Sequence, residues 1–221
     1  MADEKRDLAR PLLGWYDAHR REMPWRGHPD PYAVWLSEVM LQQTQVDTVR
    51  GYFARFLDAF PSVAALASAP QQAVLKAWEG LGYYSRARNL QKAAQAVVAR
   101  GGTLPATAAA WAELPGVGAY TAAAIASICF GEPAPVVDGN VARVFARLLA
   151  RPDDFRKPAA RAALAAWLRP HIEASRRPGD FNQAMMDLGA TVCTPRAPAC
   201  HACPLAPGCE ARLRGRQADL D

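Results

Sequence analysis

The sequence lacks any apolar segment long enough to be a secretory signal or to span a membrane. Its 221 residues begin with a charged stretch, residues 1–6, and no apolar run of the required length follows it. We therefore expect a cytoplasmic protein.

Extended runs typical of β-strands are too few and too short for a sheet, and the sequence contains no Gly/Ser-rich linker or repeat of fixed period. Instead, apolar residues recur three and four positions apart through residues 5–20 and 32–60, as in a helix that packs on one face. Pro61 and Pro70 mark helix starts, and residues 80–82 mark a turn. Further helices are expected at 85–100, 107–112, 119–130, 140–150, 158–175 and 180–190. The fold class predicted is all-α.

Charge of one sign is only mildly in excess. The chain has 26 Lys and Arg against 21 Asp and Glu, a formal net charge of +5, which suits a polyanionic partner without requiring one. The length permits one large domain or two lobes. We expect two lobes: residues 30–134 form one, and residues 1–29 with 135–221 form the other.

Cysteine is scarce outside one cluster. Cys129 stands alone in an apolar helical stretch, whereas Cys193, Cys200, Cys203 and Cys209 follow one another with the spacing C-x6-C-x2-C-x5-C. In a reducing compartment, clustered thiols indicate a metal site rather than disulfides. Four thiolates can hold zinc or a [4Fe–4S] cluster. Zinc sites usually have two CxxC pairs and this loop has one. The spacing therefore favours a [4Fe–4S] cluster, with a zinc ion as the alternative.

The segment Leu114-Pro-Gly-Val-Gly118 separates two predicted helices. Gly116 and Gly118 bracket one apolar residue, which predicts a tight hairpin whose backbone amides point outward at a helix N-terminus. Such amides bind a DNA phosphate. A plain helix connection with glycine at the required positions is the alternative.

Two carboxyl groups have contrasting surroundings in the sequence. Glu38 has apolar neighbours, so it should hold a proton near neutral pH and serve as a general acid. Asp138 precedes a predicted helix and should stay ionised there. Such a pair suits hydrolysis of a glycosidic bond. Taken singly, Glu38 could belong to a solvated stripe with Gln42 and Gln45, and Asp138 could be a simple helix cap.

Six ordered motifs closely resemble the MutY adenine DNA glycosylases, members of the helix-hairpin-helix family that includes endonuclease III. They are Trp35-Leu-Ser-Glu-Val-Met-Leu-Gln-Gln-Thr44, Gly80-Leu-Gly-Tyr-Tyr84, Leu114-Pro-Gly-Val-Gly118, Val137-Asp-Gly-Asn140, Phe181-Asn-Gln-Ala-Met-Met-Asp-Leu-Gly189 and the four-cysteine loop. The resemblance runs from about residue 8 to 212.

The resemblance implies a two-lobed fold: a six-helix lobe bearing the hairpin, a second lobe holding a [4Fe–4S] cluster, and a cleft between them for DNA. It implies that Glu38 protonates N7 of the target adenine and that Asp138 stabilises the oxocarbenium ion at C1′. Tyr120 and Asn140 are similar to residues that support these two carboxyls. The implied partner is double-stranded DNA containing a mispaired adenine, bound by a monomer associated with the nucleoid.

The resemblance also implies substrate-binding residues. Arg26, Gln183 and Asp187 would recognise the adenine, with Asp187 at a position where the acidic residue varies in size. Gln42 and Tyr83 resemble residues that wedge into the base stack, which an enzyme acting on a flipped base must open. Core packing is the alternative for Tyr83 and Tyr84.

Position 120 predicts the reaction type. Bifunctional relatives carry a lysine there, whose amine attacks C1′ and permits strand cleavage through a Schiff base. This chain has Tyr120, so we expect a monofunctional glycosylase with at most weak lyase activity.

Members of the resembled family usually continue into a C-terminal domain that helps recognise 8-oxoguanine, and this sequence stops at Asp221. We therefore expect either a catalytic fragment or a short member, with the strength of 8-oxoguanine selectivity in doubt. A thymine or uracil mismatch glycosylase of the same family and a non-catalytic DNA-binding iron–sulfur module are the alternative functions.

Overall fold

A computed structural model describes residues 7–220, and throughout that range it is helical without a β-strand. The α-helices are α1 Ala9–His19, α2 Pro31–Leu41, α3 Val46–Ala59, α4 Val63–Ser68, α5 Gln71–Ala77, α6 Ser85–Ala99, α7 Ala108–Ala112, α8 Ala119–Phe130, α9 Gly139–Leu148, α10 Pro158–Ser175, α11 Pro178–Thr191 and α12 Glu210–Leu213. Two short 3-10 helices, Cys200–Ala202 and Ala206–Gly208, lie in the cysteine loop. None of the described helices is both long enough and apolar enough to cross a membrane.

The described residues form two compact units. The central unit is residues 22–130, and the terminal unit is residues 7–21 together with 131–220. Seven helices, α2 to α8, belong to the central unit where the resemblance implied six. The observed unit begins at residue 22 rather than 30 because Met23 and Trp25 are buried in its core, where Trp25 packs edge-on against Phe53 with ring centroids 5.4 Å apart.

Helix α2 lies at the centre of the central unit. The Asp30 carboxylate caps it by accepting the Tyr32 N–H at 2.8 Å, and Pro31 supplies a first residue that needs no hydrogen-bond acceptor. Every residue from Tyr32 to Met40 is buried. A helix that is buried all round must be packed by other helices on several sides, and α3, α6 and α8 all contact it.

The helical pattern across residues 32–60 is interrupted in the structure. Helix α2 ends at Leu41 and α3 begins at Val46, with Gln43 in a left-handed conformation at φ 59° between them. Apolar periodicity alone did not reveal the break because both helices bury residues at helical spacing. The break turns the polar residues 42–45 out of the helical register.

The terminal unit has its own core. Helix α11 packs against α1, α9 and α10, and buried apolar residues of all four helices meet there. Phe145 contributes two edge-on ring contacts, to Phe155 and to Trp167. This core holds the start of α9 and the cysteine loop in one unit.

Candidate active site and cysteine loop

Glu38 lies in the middle of the buried helix α2 with 6% of its surface exposed. Its neighbours Ser37 and Val39 are buried as well, at 0% and 5% exposure. Glu38, Gln42 and Gln45 therefore do not form one solvated stripe on a helix. Glu38 is buried, Gln42 is half-buried beyond the end of α2, and Gln45 is exposed at the start of α3.

Gln42 follows the last residue of α2, and its side chain is fixed from another helix. Its Nε2 donates a hydrogen bond to the Thr121 hydroxyl at 3.1 Å. Thr121 is buried in the first turn of α8, directly after the half-buried Tyr120. The residue after Gln42 has positive φ, which for a non-glycine residue is uncommon and clusters at functional sites.

Tyr83 stands in the turn between α5 and α6, also at positive φ, 46°. It is 62% exposed, and Tyr84 is 39% exposed. Core packing, the alternative considered for both tyrosines, is therefore not what the structure has. The turn itself is tight: a Cβ at Gly80 would lie 2.0 Å from the Tyr52 hydroxyl.

The hairpin connects α7 to α8. Leu114 and Val117 are buried and anchor it, while Gly116 and Gly118 are exposed. Gly116 has φ 75°, and a Cβ there would lie 2.5 Å from Cβ of Asn89, so glycine is needed both for conformation and for the approach of α6. The two exposed glycines precede the N-terminus of α8, as the sequence predicted.

Asp138 caps helix α9. One carboxylate oxygen accepts the Val141 N–H at 2.7 Å, and the other accepts the Asn140 Nδ2 at 3.0 Å. Asn140 in turn accepts a hydrogen bond from Arg143 at 2.8 Å. Two hydrogen-bond donors therefore hold the Asp138 carboxylate in one orientation at the start of α9.

Arg143 continues this chain toward the cysteine loop. It is 9% exposed and donates to the carbonyls of Gly189 and Cys193, both at 2.8 Å. A Cβ at Gly189 would lie 2.6 Å from Cβ of Asn140, so only glycine permits α11 to approach the start of α9 this closely. The capped carboxylate, α11 and the cysteine loop are thus joined through one guanidinium.

The two residues predicted on α11 differ in their surroundings. Gln183 is half-buried, and its Nε2 donates to the Gly179 carbonyl at 3.3 Å. Asp187 is 1% exposed, and one of its oxygens accepts two hydrogen bonds from Arg21, at 2.6 and 2.8 Å. This ion pair fastens the chain after α1 to α11. Arg26, the third residue predicted to recognise adenine, is half-buried in the loop before α2.

The four clustered cysteines all line one cavity, together with Arg147, Val192, Pro198, Ala206, Arg212 and Gln217. All four are half-buried thiols outside any disulfide. Burial raises the pKa of Cys203 to about 11 and also raises the pKa of Cys209. In the described residues, no group of three or more His, Cys, Asp or Glu side chains is arranged so that it could hold a metal ion.

Arg147 organises the backbone around this cavity. It is 1% exposed and donates to the carbonyls of Thr194, Pro195 and Leu220 at 2.7 to 3.0 Å. Its guanidinium also lies 3.5 Å from the sulfur of Cys193. Arg147 therefore holds the backbone of residues 193–195 and the end of the described chain against one wall of the cavity that the four cysteines line.

Four residues with structural roles near the site were not identified from the sequence: Arg86, Arg143, Arg147 and Gly189. A signal for two of them was present: Arg143 and Arg147 stand four residues apart among apolar residues of α9, which places two cations on one face of a mostly buried helix. Gly189 is the last residue of the motif Phe181-Asn-Gln-Ala-Met-Met-Asp-Leu-Gly189, and its role in helix packing did not follow from the sequence.

Comparisons with known proteins agree with this architecture. Residues 36–170 match the family described as HhH-GPD superfamily base excision DNA repair protein. The chain is 48% identical to the adenine DNA glycosylase of Homo sapiens over 219 residues, 95% of this chain and 40% of that protein. It is likewise 48% identical to the adenine DNA glycosylase of Rattus norvegicus over 96% of this chain and 43% of that protein. The chain thus spans less than half the length of these relatives.

Two solved structures share the fold. A thermostable thymine-DNA glycosylase superposes with a TM-score of 0.87 at 27% identity, over 96% of this chain and 98% of the other. Endonuclease III in a non-covalent DNA complex superposes with a TM-score of 0.75 at 23% identity, over 92% and 94% of the two chains. With the hairpin glycines at residues 116 and 118 inside the matched range, the chain belongs to the HhH-GPD superfamily of base excision DNA repair proteins.

Proposed function

We propose that this chain is a monofunctional DNA glycosylase that hydrolyses the N-glycosidic bond of adenine mispaired with 8-oxoguanine or guanine. The observation that carries the proposal is its 48% identity to the human adenine DNA glycosylase across 95% of its own length. The substrate is double-stranded DNA, and the protein acts as a monomer that is cytoplasmic and associated with the nucleoid.

In this mechanism Glu38 supplies a proton to N7 of adenine. The carboxyl is buried in α2 among buried residues, and an apolar environment favours the protonated form of a carboxyl. Protonation of N7 withdraws electrons from the glycosidic nitrogen, so adenine leaves as a neutral base. Glu38 then accepts a proton when the enzyme returns to its starting state.

Asp138 supplies negative charge at C1′ as the bond breaks. Its carboxylate is held by the Val141 N–H at the start of α9 and by Asn140. These donors hold the group in one orientation, and fixed negative charge stabilises the oxocarbenium-like transition state without reorganisation. Water completes the hydrolysis, with the hydroxyl added at C1′.

Tyr120 makes the reaction monofunctional. A phenol cannot form the Schiff base through which a lysine amine would lead to strand cleavage. We therefore expect base release without efficient cleavage of the abasic strand. An enzyme–DNA adduct trapped efficiently by borohydride would contradict this part of the proposal.

DNA binding is assigned to two sets of residues. The backbone amides of Gly116 and Gly118 bind phosphate at the hairpin, while Gln42 and Tyr83 enter the base stack. Arg26, Gln183 and Asp187 recognise adenine. Arg21 binds both oxygens of Asp187, Oδ1 through its guanidinium and Oδ2 through its backbone N–H at 3.3 Å, so Asp187 acts on adenine through the remaining lone pair of Oδ2 or by orienting α11.

Cys193, Cys200, Cys203 and Cys209 would hold a [4Fe–4S] cluster. The chemistry of the donor set supports the assignment, because all four thiols line the same cavity and none is in a disulfide, although the side chains are not arranged there as a ready-made metal site. When bound, the cluster supplies a structural crosslink among the four segments of the loop. Iron and acid-labile sulfide in about equal amounts in the purified protein would support this assignment, whereas one zinc per chain would contradict it.

A panel of duplexes tests the function. The protein is incubated with duplexes containing A opposite 8-oxoguanine, A opposite G, T opposite G and U opposite G, and released base is measured. We expect release of adenine from the first two. Thymine release alone would overturn the proposal.

A thymine mismatch glycosylase is the second candidate. It is favoured by the TM-score of 0.87 to a thymine-DNA glycosylase that this chain matches over nearly its whole length. The greater identity to adenine glycosylases, 48% against 27%, supports adenine as the first candidate. The same panel separates the two.

A further inference from the structure

Arg86 is a buried arginine whose hydrogen bonds join two separate backbone segments of the central unit. It is 9% exposed and lies in the first turn of α6. Burial lowers the pKa of its guanidinium, so the protein places a cation where water does not solvate it well. Such an arrangement persists only when protein groups replace the lost water.

The first segment is the end of α2. One terminal nitrogen of Arg86, Nη1, donates to the carbonyls of Val39 at 3.0 Å, Met40 at 2.8 Å and Gln42 at 2.5 Å. The last carbonyls of a helix lack N–H donors within the helix and lie at the negative end of its dipole. Arg86 satisfies them, which fixes where α2 stops and where Gln42 departs from it.

The second segment is the turn that carries Tyr83. The other terminal nitrogen, Nη2, donates to the carbonyls of Leu81 at 3.0 Å and Gly82 at 3.4 Å. The same nitrogen reaches back to the Thr44 hydroxyl at 3.1 Å. The guanidinium carbon also lies 5.5 Å from the ring centroid of Tyr83, in range of a cation–π contact.

Both segments contain a strained residue beside the point that Arg86 holds. Gln43 has φ 59° and Tyr83 has φ 46°, the left-handed region that non-glycine residues rarely adopt. Such conformations persist only where the surrounding contacts over-determine them. Six hydrogen bonds from one planar group supply that constraint to both segments at once.

We propose that Arg86 is a positioning residue that fixes the spacing between Gln42 and Tyr83, so that the two enter the base stack as one rigid wedge. This inference rests on the proposed function, because it is the DNA glycosylase reaction that requires a wedge. Arg86 does not touch the substrate. It acts through the carbonyl of Gln42 on the first segment and through the carbonyls of Leu81 and Gly82, the two residues before Tyr83, on the second.

The test compares Arg86→Lys and Arg86→Met with the full wild-type chain. Lysine keeps the charge but concentrates its donors on one nitrogen, and cannot span the two segments as the planar guanidinium does. Methionine keeps much of the volume without any donor. Arg55→Lys is the matched control, since Arg55 is exposed in the same unit and donates one side-chain hydrogen bond, to the Gly51 carbonyl.

Two readouts report the wedge. Hydrogen exchange follows the backbone amides of residues 41–45 and 80–84. Unstacking is followed by the fluorescence of 2-aminopurine placed next to adenine in an A opposite G duplex. In both Arg86 variants we expect faster exchange in the two segments together and weaker unstacking, with single-turnover base release slowed about tenfold or more. Affinity for a fully matched duplex should stay within about twofold, because phosphate contacts dominate it.

A merely structural role predicts something else. In that case the variants would melt at a lower temperature, yet well below that temperature they would unstack DNA as the wild type does, and this result would overturn the inference. Faster exchange in only one segment would also overturn it. Because base release measures the proposed function separately, a wild type that unstacks DNA without releasing any base would reject the function and leave the wedge supported.

Discussion

The central and terminal units both bury arginines that bind backbone carbonyls, but they use them differently. In the central unit, Arg86 joins two short turns between helices that already share an apolar core. In the terminal unit, Arg143 and Arg147 hold residues 193–195, where the chain has left α11 and forms only two 3-10 helices before the short α12. Helix packing therefore accounts for the conformation of the central unit. The conformation of the cysteine loop depends instead on hydrogen bonds from Arg143 and Arg147 and on the group that its four thiols would hold.

The largest expected effects come from the two carboxyls, one in each unit. We predict that Glu38→Gln and Asp138→Asn each lower single-turnover adenine release by about 10²-fold or more, because in the proposed mechanism each removes a group that acts in the transition state. The double variant should lose much less than the product of the two single losses, since residues acting in one step are non-additive.

The control for these variants is Asp47→Asn, whose carboxylate is 98% exposed on α3 and should leave release unchanged. Unchanged release by Asp138→Asn would favour a non-catalytic DNA-binding module contaminated by another enzyme. Fully multiplicative losses in the double variant would show that the two carboxyls act in separate steps.

The next effect tests whether the terminal unit alone depends on its thiols. Cys200→Ser should destabilise the protein by several kcal/mol if the four cysteines share one group, because loss of a ligand disorders the loop that Arg143 and Arg147 hold. Cys129→Ser is the matched control in the central unit, where burial raises the pKa of the lone thiol to about 12. Hydrogen exchange measured by unit decides the outcome. If Cys200→Ser accelerated amide exchange equally in the central and terminal units, the terminal unit would not differ from the central unit in its dependence on the thiols.

A smaller effect concerns the packing of α9 on α11. Gly189→Ala should cost about 1–3 kcal/mol of unfolding free energy, since its Cβ would overlap Asn140 backbone and side-chain atoms lying 2.6 to 3.0 Å away. Gly14→Ala in α1 of the same unit meets nothing within 4 Å and should instead stabilise by up to about 1 kcal/mol. Denaturant unfolding measures both. Equal effects of the two substitutions would contradict the close approach.

The smallest effect is electrostatic. In the terminal unit, Arg177 donates two hydrogen bonds to Asp17 at 2.6 and 2.9 Å, and this contact lowers the pKa of the carboxyl. A carboxyl whose pKa is lower in the folded state than in the unfolded state stabilises the fold at pH values above its unfolded-state pKa. This stabilisation is lost as the pH falls through the folded-state pKa. Both side chains are about half exposed, so Asp17→Asn should cost at most about 1 kcal/mol at pH 7.

Stability measured as a function of pH checks this prediction. The wild type and Asp17→Asn should converge as the pH falls below about 4, where the carboxyl takes up its proton. A difference between the two proteins that stays constant from pH 7 to pH 3 would show that the ion pair does not account for it.

Much of the fold could be predicted from the sequence. Apolar periodicity identified the helices, and glycine and proline marked most of their ends, because helix formation and termination depend on nearby residues. The exception within residues 32–60 is instructive. The interruption between α2 and α3 is stabilised by Arg86, which lies more than forty residues later in the chain. No pattern among neighbouring residues could therefore predict the interruption.

The candidate site divides in the same way. Residue type and spacing were sufficient to nominate Glu38, Asp138, the hairpin glycines and the four cysteines. They could not reveal that Asp187 is bound by Arg21, since the two residues are 166 positions apart. Nor could they separate a solvated from a buried Glu38, because burial depends on the helices that pack around α2.

The sequence by itself determined the helical class, the capped carboxylate at Asp138 and the order of chemical motifs, all of which follow from residues close together in the chain. Only the tertiary structure decided which arginines became buried and which carbonyls they bind. The reason is that a buried guanidinium must replace the hydrogen bonds of water with acceptors from whichever segments folding brings near, and in both units these include carbonyls from distant parts of the chain, Met40 for Arg86 and Cys193 for Arg143.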